Sequence, residues 1–198
     1  MTSCNDLNAY LELYQDFLHP NPNINSQAIF LLKKDFKVEF MKKLLNNLKE
    51  EDVILRRKSI LALGEYGEEV LNELVPLYLN SNNNIVKASC LKVMIKLVVN
   101  SNLKQLNQES MFIVELALKD RSPEIILIVI SLLRQLGNNG RNILMESCRD
   151  KDLLIAKASI SALLEMKDHS VNSLFEELLN DKSIDPMIRE DILRDKAI

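Results

Sequence analysis

The chain of 198 residues carries a formal net charge of −3, and 47% of its residues are hydrophobic while only 5% are aromatic. It has no tryptophan, four glycines and five prolines, so strand turns are scarce and the interior must be aliphatic. This composition predicts an all-α protein. The acidic balance argues against a general nucleic-acid binder, because neutralising phosphates requires a basic surface.

The cysteines and the apolar runs indicate the compartment. Cys4, Cys90 and Cys148 lie far apart and form no CxxC pair, which argues against a disulfide framework and a zinc site. Cys90 lies on an apolar helix face and is expected to be buried. Residues Met1–Asn8 show no signal pattern, and the longest apolar run, Ile125–Ile130, is too short for a membrane span. We therefore expect a cytoplasmic protein without a metal or a bound cofactor.

The first fifty residues predict an irregular beginning. Apolar residues on one helical face predict a helix over Asp6–Leu18, and the two prolines of His19–Asn23 end it. Shorter helices are predicted at about 25–33 and 38–48. Residues 1–50 are accordingly interpreted as an N-terminal cap of a repeat array.

A pattern about thirty to thirty-eight residues long then recurs four times over residues 51–180. Such a unit cannot bury its apolar face alone and must stack on its neighbours. A charged helix over Asp185–Ala197 is predicted to close the array within residues 181–198, so that residues 1–198 form a single domain. The first helices are predicted within Asp52–Tyr66, Asn84–Val98, Ser122–Leu136 and Asp152–Met166, and the second helices at about Glu68–Leu79, Gln108–Leu118, Asn138–Cys148 and Ser170–Leu179.

Small polar residues are predicted to cap several of these helices. Their side-chain oxygens can accept a hydrogen bond from a backbone N–H that is otherwise unpaired at a helix start. Pro123 and Pro186 each follow such a residue and suit the first helical position. The predicted caps are Asp52, Ser122, Asp152 and Asp185.

Residues 55–64, Leu-Arg-Arg-Lys-Ser-Ile-Leu-Ala-Leu-Gly, resemble the first helix of a HEAT repeat, and more narrowly the short variety named after the phycobilisome lyases. Val86–Leu91 and Ile155–Leu163 repeat the pattern more weakly, while Val129 replaces the basic residue in the third copy. The resemblance implies a right-handed α-solenoid of about five to six helix pairs, with the second helices on its concave side. The family includes proteins that deliver open-chain tetrapyrroles to antenna proteins, antenna-degradation factors and plain scaffolds.

Two features of the repeats have open interpretations. In the family, a basic residue at Arg56 or Arg57 would tie an inter-repeat loop. The helix that contains residues 125–133 is apolar on nearly every side, so either its neighbours cover it or it exposes a docking stripe for a partner or a second copy. That stripe would consist of Ile126, Ile130 and Leu133.

No group of residues matches an active-site template. His19 and His169 lie at helix ends without further metal ligands, and Gly137–Arg141 lacks the Lys-Ser/Thr ending of a phosphate loop and is expected to be an inter-helix turn. Charged side chains predict a concave face that changes from basic to acidic along the chain. The residues are Lys33, Lys34, Lys37, Lys42 and Lys43, then Glu68, Glu69 and Glu73, and later Glu176, Glu177 and Asp181.

The main hypothesis is a non-catalytic scaffold or adaptor that binds another protein on the concave second-helix surface. The alternative is a phycobilin lyase subunit or tetrapyrrole-handling chaperone that acts on a phycobiliprotein subunit, alone or with a second HEAT-like chain. An arginine would then pair with propionates, and a carboxylate would accept from pyrrole N–H groups. The candidate residues for binding the partner or the bilin are Glu69, Asn72, Glu73, Tyr78, Glu115, Arg141, Glu146 and Asn172.

Overall fold

A computed structural model describes the backbone of residues 4–196 and the side chains of residues 6–194. Within the described backbone the chain forms twelve α-helices and no strand, which confirms the all-α class. The chain divides into two compact units between Asn100 and Ser101, where the second predicted repeat is stretched. No helix in the described part of the chain is long and apolar enough to cross a membrane.

The first unit contains six helices. Helix α1 packs on α2, α2 on α3 and α3 on α4, while α6 packs on both α4 and α5. A single 3-10 turn, Glu68–Val70, precedes α5. The helices are α1 (Cys4–Leu18), α2 (Pro22–Asp35), α3 (Lys37–Asn47), α4 (Val53–Leu63), α5 (Leu71–Leu79) and α6 (Asn84–Asn100).

Helix α2 begins earlier than the predicted residue 25. Pro22 occupies its first turn, and the Asn21 side chain accepts a hydrogen bond from the backbone N–H of Asn23 at 3.0 Å. Proline lacks a backbone N–H, which suits the first turn of a helix as well as the segment after a helix end. The proline pair therefore ends α1 and also starts α2.

Basic side chains of α4 hold two connections, the one between α1 and α2 and the one between α3 and α4. Lys58 Nζ donates to the carbonyl oxygens of Leu18 at 2.6 Å and His19 at 2.9 Å, where α1 ends. Arg56 Nη1 donates to the Glu50 carbonyl at 2.5 Å, the loop-tying role expected for a basic residue in this helix. These bonds satisfy carbonyl groups that a helix end or a loop leaves without a backbone donor.

The second unit also contains six helices. Helix α8 packs on α7, α9 and α10, α9 packs on α10, and α12 packs on α10 and α11. A 3-10 turn, His169–Val171, precedes α11. The last residue of the predicted final helix, Ala197, lies outside the described residues. The helices are α7 (Gln108–Leu118), α8 (Pro123–Gln135), α9 (Asn138–Ser147), α10 (Leu153–Met166), α11 (Asn172–Asn180) and α12 (Pro186–Lys196).

Helix α8 resolves one of the open interpretations. The side chains of Ile126, Ile130 and Leu133 are only 3%, 4% and 0% exposed, so they are covered and the alternative of an exposed docking stripe is wrong. Helices α7, α9 and α10 all pack against α8, and a helix that is apolar on every side has to be covered on every side. Leu127, which is 48% exposed, is the large apolar side chain of α8 that reaches the surface.

Three of the four predicted N-caps form their hydrogen bonds. Asp52, Asp152 and Asp185 each accept from the backbone N–H two residues further on, at 2.8 Å. Ser122 precedes α8 in an extended conformation, but its side chain makes no capping bond. Its own backbone N–H donates to Asp120 Oδ1 at 2.9 Å. The prediction for the Ser122 side chain is therefore wrong.

The contrast between two N-caps of the second unit can be tested by mutation. Asp152→Ala removes a capping acceptor and should lower the free energy of unfolding by about 1 kcal/mol. Ser122→Ala removes a side chain that accepts no capping bond and should leave stability nearly unchanged. Urea unfolding followed by circular dichroism measures both variants. Equal losses for the two would contradict this assignment of the caps.

Gly140 lies where α9 approaches α8 most closely. Within the predicted turn Gly137–Arg141 only Gly137 lies outside a helix, because α9 begins at Asn138, as predicted for the second helix of this repeat. A Cβ atom built on Gly140 would lie 1.9 Å from the carbonyl oxygen of Leu133. The obstructing atom belongs to the backbone, so it cannot move aside as a flexible side chain could.

Gly140→Ala should therefore destabilise the protein, although alanine is the better helix former. Forcing an extra carbon into a packed contact costs on the order of 2 kcal/mol. Asn142→Ala, at an exposed position of the same helix, is the matched control and should unfold at about the wild-type urea concentration. An unchanged unfolding midpoint for Gly140→Ala would show that the two helices do not approach this closely.

Candidate functional site

Of the eight predicted binding residues, the structure places three together. Glu69, Asn72 and Glu73 are exposed at the beginning of α5 and in the turn before it. Tyr78 is only 3% exposed, and Lys87 Nζ lies 5.6 Å from its ring centroid. Tyr78 shares the buried face of α5 with Leu71, Leu74 and Val75, so it is not presented to a ligand. Its inclusion in the predicted site is corrected accordingly.

The other four predicted residues lie in the second unit, on α7, α9 and α11. Glu115, Glu146 and Asn172 are exposed on three different helices, α7, α9 and α11. Arg141 is already engaged within the chain, where its Nη1 atom donates to the Asp168 carboxylate and, at 2.8 Å, to Ser170 Oγ. Arg141 thus fastens α9 to the turn that precedes α11.

The candidate site is an open groove between α3 and α5, which we call the α3–α5 groove. Its volume is about 620 Å³, within the range of small-molecule sites. Four residues from each helix line it, and in both helices they follow the i, i+3, i+4, i+7 spacing of a single helical face. They are Lys42, Leu45, Asn46 and Lys49 from α3 and the turn after it, and Glu73, Pro76, Leu77 and Asn80 from α5 and its end, with Ser81, Asn83 and Val86 closing the groove.

The charged side chains of the α3–α5 groove are exposed and are not used in ion pairs within the described part of the chain. Lys42 and Lys49 lie on one side and Glu73 on the other, and all three are exposed. Among the side chains of residues 6–194, none forms an ion pair with any of these three. The groove therefore offers two cations and one anion to a ligand.

At the edge of the same unit the charges are paired. Lys37 Nζ lies 2.7 Å from Glu69 Oε1, which joins the start of α3 to the turn before α5. Lys33 Nζ donates to the Glu65 carbonyl at 2.5 Å and lies 5.3 Å from the Tyr66 ring centroid. Glu69 therefore positions the two helices of the groove and is less available to a ligand than Glu73.

An aromatic cluster supports α3 from the other side. The Phe40 ring of α3 lies 5.3 Å from the ring of Phe17 and 6.4 Å from that of Tyr66, measured between centroids. The Tyr10 ring lies 5.5 Å from that of Phe36. Burial, with smaller contributions from nearby Tyr14 and Glu39, raises the pKa of Tyr10 to about 12, so its phenol stays neutral at physiological pH. The cluster anchors the inner face of α3 while the outer face lines the groove.

Sequence reasoning found this site only in part. Glu73 was a candidate residue, Lys42 belonged only to a general basic cluster, and Lys49 was not considered. The available signal was the i, i+3, i+4, i+7 spacing of Lys42, Leu45, Asn46 and Lys49, which continues the spacing of one helical face into the turn after α3. The facing set on α5 shows the same spacing, but the sequence does not reveal that the two faces oppose each other.

The cysteines of the described side chains are not reactive. Cys90 and Cys148 are 0% and 2% exposed. Burial raises the pKa of each thiol to about 12. At neutral pH both remain protonated, and the thiolate is the nucleophilic form of cysteine.

Two proteins are similar to this chain along most of its length. The uncharacterized phycocyanin operon protein Z of Pseudanabaena tenuis (strain PCC 7409) is 25% identical over 178 residues, which cover 89% of this chain and 88% of that protein. The bilin biosynthesis protein CpeZ of Synechococcus sp. (strain WH8020) is 26% identical over 172 residues, which cover 82% of this chain and 91% of that protein. No family model matches the chain. The similarity points to proteins of phycocyanin operons and bilin biosynthesis.

The contact between Arg141 and Asp168 makes a prediction about acid stability. The backbone N–H and the hydroxyl of Ser170, together with Arg141, lower the pKa of Asp168 from 3.8 to about 2. A lowered folded-state pKa means that the carboxylate stabilises the fold above about pH 4 and loses this effect as the pH falls towards 2. Between pH 5 and pH 2.5, the urea midpoint of wild type should therefore fall further than that of Asp168→Asn.

Glu176→Gln is the control for that experiment, because Glu176 is an exposed carboxylate on the neighbouring helix α11. It should show the wild-type dependence of stability on pH. An equal acid-induced fall for Asp168→Asn and wild type would contradict the stabilising role of the Asp168 carboxylate.

Proposed function

We propose that this protein binds an open-chain tetrapyrrole without a covalent bond and presents it to a phycobiliprotein subunit. The observation that carries the proposal is similarity along more than four-fifths of the chain to a protein named for bilin biosynthesis. The second relative is named for a phycocyanin operon, which supports the same direction. The bilin-handling alternative is thus better supported than the general adaptor that was the main hypothesis from the sequence.

The α3–α5 groove supports the proposal through its chemistry. A phycobilin has a long conjugated body, two propionates and several pyrrole N–H groups. Apolar contacts from Pro76 and Leu77 suit the conjugated body, and unpaired charges on both sides of the groove suit the polar groups. The groove is therefore our candidate binding site.

The cysteines support transient binding over permanent attachment. Bilins are held in phycobiliproteins through thioether bonds to cysteine. Cys90 and Cys148 are buried and protonated, so neither suits that chemistry. A protein that binds the pigment without fixing it can pass it to another chain.

We also propose that the helix pairs are HEAT-like repeats and that they form a right-handed α-solenoid. Helices one repeat apart pack on each other, α4 on α6 in the first unit and α8 on α10 in the second. The Lys37–Glu69 pair and the bond from Asn139 Nδ2 to the Lys104 carbonyl likewise join residues about one repeat apart. Repeated contacts of this kind are typical of solenoids.

Titration with phycocyanobilin tests the proposed function. The purified protein should change the absorbance spectrum of the pigment, with saturation near one equivalent, because a bound bilin loses much of its conformational freedom. The pigment should co-elute in gel filtration, separate from the protein in denaturant, and leave it when an apo-phycocyanin subunit is added. An unchanged spectrum without co-elution would contradict the proposal.

Cys4→Ser is the necessary control, since the Cys4 side chain lies outside the described ones. This variant should bind pigment as well as wild type does. If wild type retained the pigment in denaturant and Cys4→Ser did not, the protein would be a covalent acceptor, and the proposal of transient binding would be wrong.

A further inference from the structure

We infer that the α3–α5 groove recognises the two carboxylates of a single ligand through Lys42 and Lys49. The inference rests on the proposed function and specifies its site. It adds that the ligand must be a dianion, with its two acidic groups on the same edge of an elongated apolar body. A linear tetrapyrrole with two free propionates has this chemistry.

The spacing of Lys42 and Lys49 allows both to contact one ligand. They lie seven positions apart, with Leu45 and Asn46 between them on the same face, and Lys49 follows the end of α3 by two residues. At about 1.5 Å per helical residue, Lys42 lies roughly 8 Å along α3 from its last residue, Asn47, and Lys49 follows in the next turn. Each ammonium group sits on a flexible four-carbon stem, so both can reach carboxylates on neighbouring rings of one pigment.

The ammonium groups of Lys42 and Lys49 are not used in ion pairs within the described part of the chain. Across the side chains of residues 6–194, neither Lys42 nor Lys49 forms an ion pair, whereas Lys33 and Lys37 at the edge of the unit each have an acidic partner. The charges at the edge are used to join elements of the fold. Those in the groove remain available to pair with a ligand carboxylate.

The opposite side of the groove supplies a hydrogen-bond acceptor and apolar surface. Glu73 lies on the other side of the groove from the lysines, and Pro76 and Leu77 supply apolar surface. A carboxylate cannot bind a propionate, but it accepts hydrogen bonds from pyrrole N–H groups. The groove thus has cations on one side, an acceptor on the other and apolar atoms between them. This order fixes the expected orientation of the pigment, with its propionates towards α3.

The test compares phycocyanobilin with its dimethyl ester, which keeps the conjugated body and loses both negative charges. Wild type should bind the free acid about twenty-five-fold more tightly than the ester, since each of the two exposed pairs contributes about fivefold. Lys42→Gln/Lys49→Gln should lose this preference and bind the two ligands equally. The preference of wild type should also weaken as ionic strength rises.

Lys34→Gln/Lys104→Gln is the matched control, because it removes the same net charge at exposed positions that do not line the groove. It should retain the wild-type preference for the free acid. Urea midpoints close to wild type should confirm that both double variants are folded.

The outcomes separate this inference from the proposed function. If wild type binds the acid and the ester equally, or if Lys42→Gln/Lys49→Gln keeps the preference, the two-lysine site is wrong while bilin binding stands. If wild type binds neither ligand, the proposed function itself fails. If the control variant also loses the preference, net charge is responsible and the groove is not.

Discussion

The structure depends on the fact that no helix pair of this chain can bury its apolar face alone. Aliphatic side chains dominate the interior, and there is no tryptophan to fill a core from a few positions. Helix α8 shows the consequence most clearly. It is apolar on nearly every side and becomes a buried helix because α7, α9 and α10 all pack against it. Stacking of neighbouring pairs creates the core, and it also creates the surfaces between helices.

The same stacking separates the charged residues of the first unit into two classes. Lys37 and Glu69 lie where two connections meet, and they pair with each other. Lys42 on α3, Lys49 in the turn after it and Glu73 on α5 lie where the stacking leaves the surface open, and all three line the groove between α3 and α5. The aromatic cluster around Phe40 anchors the inner face of α3. A rigid support of this kind holds binding groups in position before a ligand arrives.

Much of the fold could be predicted from the sequence, because helical periodicity and capping residues are local signals. The second helix of the second repeat shows this, since Gln108–Leu118 was predicted and observed with the same bounds. The terminal glycine of the repeat pattern also has a structural reason. A Cβ atom on Gly64 would lie 2.4 Å from Lys96 Cβ, so glycine lets α4 and α6 approach each other.

The candidate site was harder to predict, because it depends on contacts between distant residues. Periodicity places Lys42 on one face of α3, with Lys49 in the turn after it, and Glu73 on one face of α5, but it does not show that these residues oppose each other across a groove. Tyr78 was predicted to bind because aromatic rings suit pigments, yet its position relative to Leu71 and Leu74 places it in the core. Arg141 suits propionates equally well, but Asp168 and Ser170 already engage it.

The central claim is that the α3–α5 groove holds a linear tetrapyrrole, and amide hydrogen exchange tests it without any mutation. Adding phycocyanobilin should slow exchange in peptides that cover residues 37–49 and 71–86, since a bound ligand suppresses local opening of the helices that contact it. Peptides from α9 and α11 should exchange at the rate of the free protein. Protection confined to the second unit, or no protection in α3 and α5 at saturating pigment, would contradict the account.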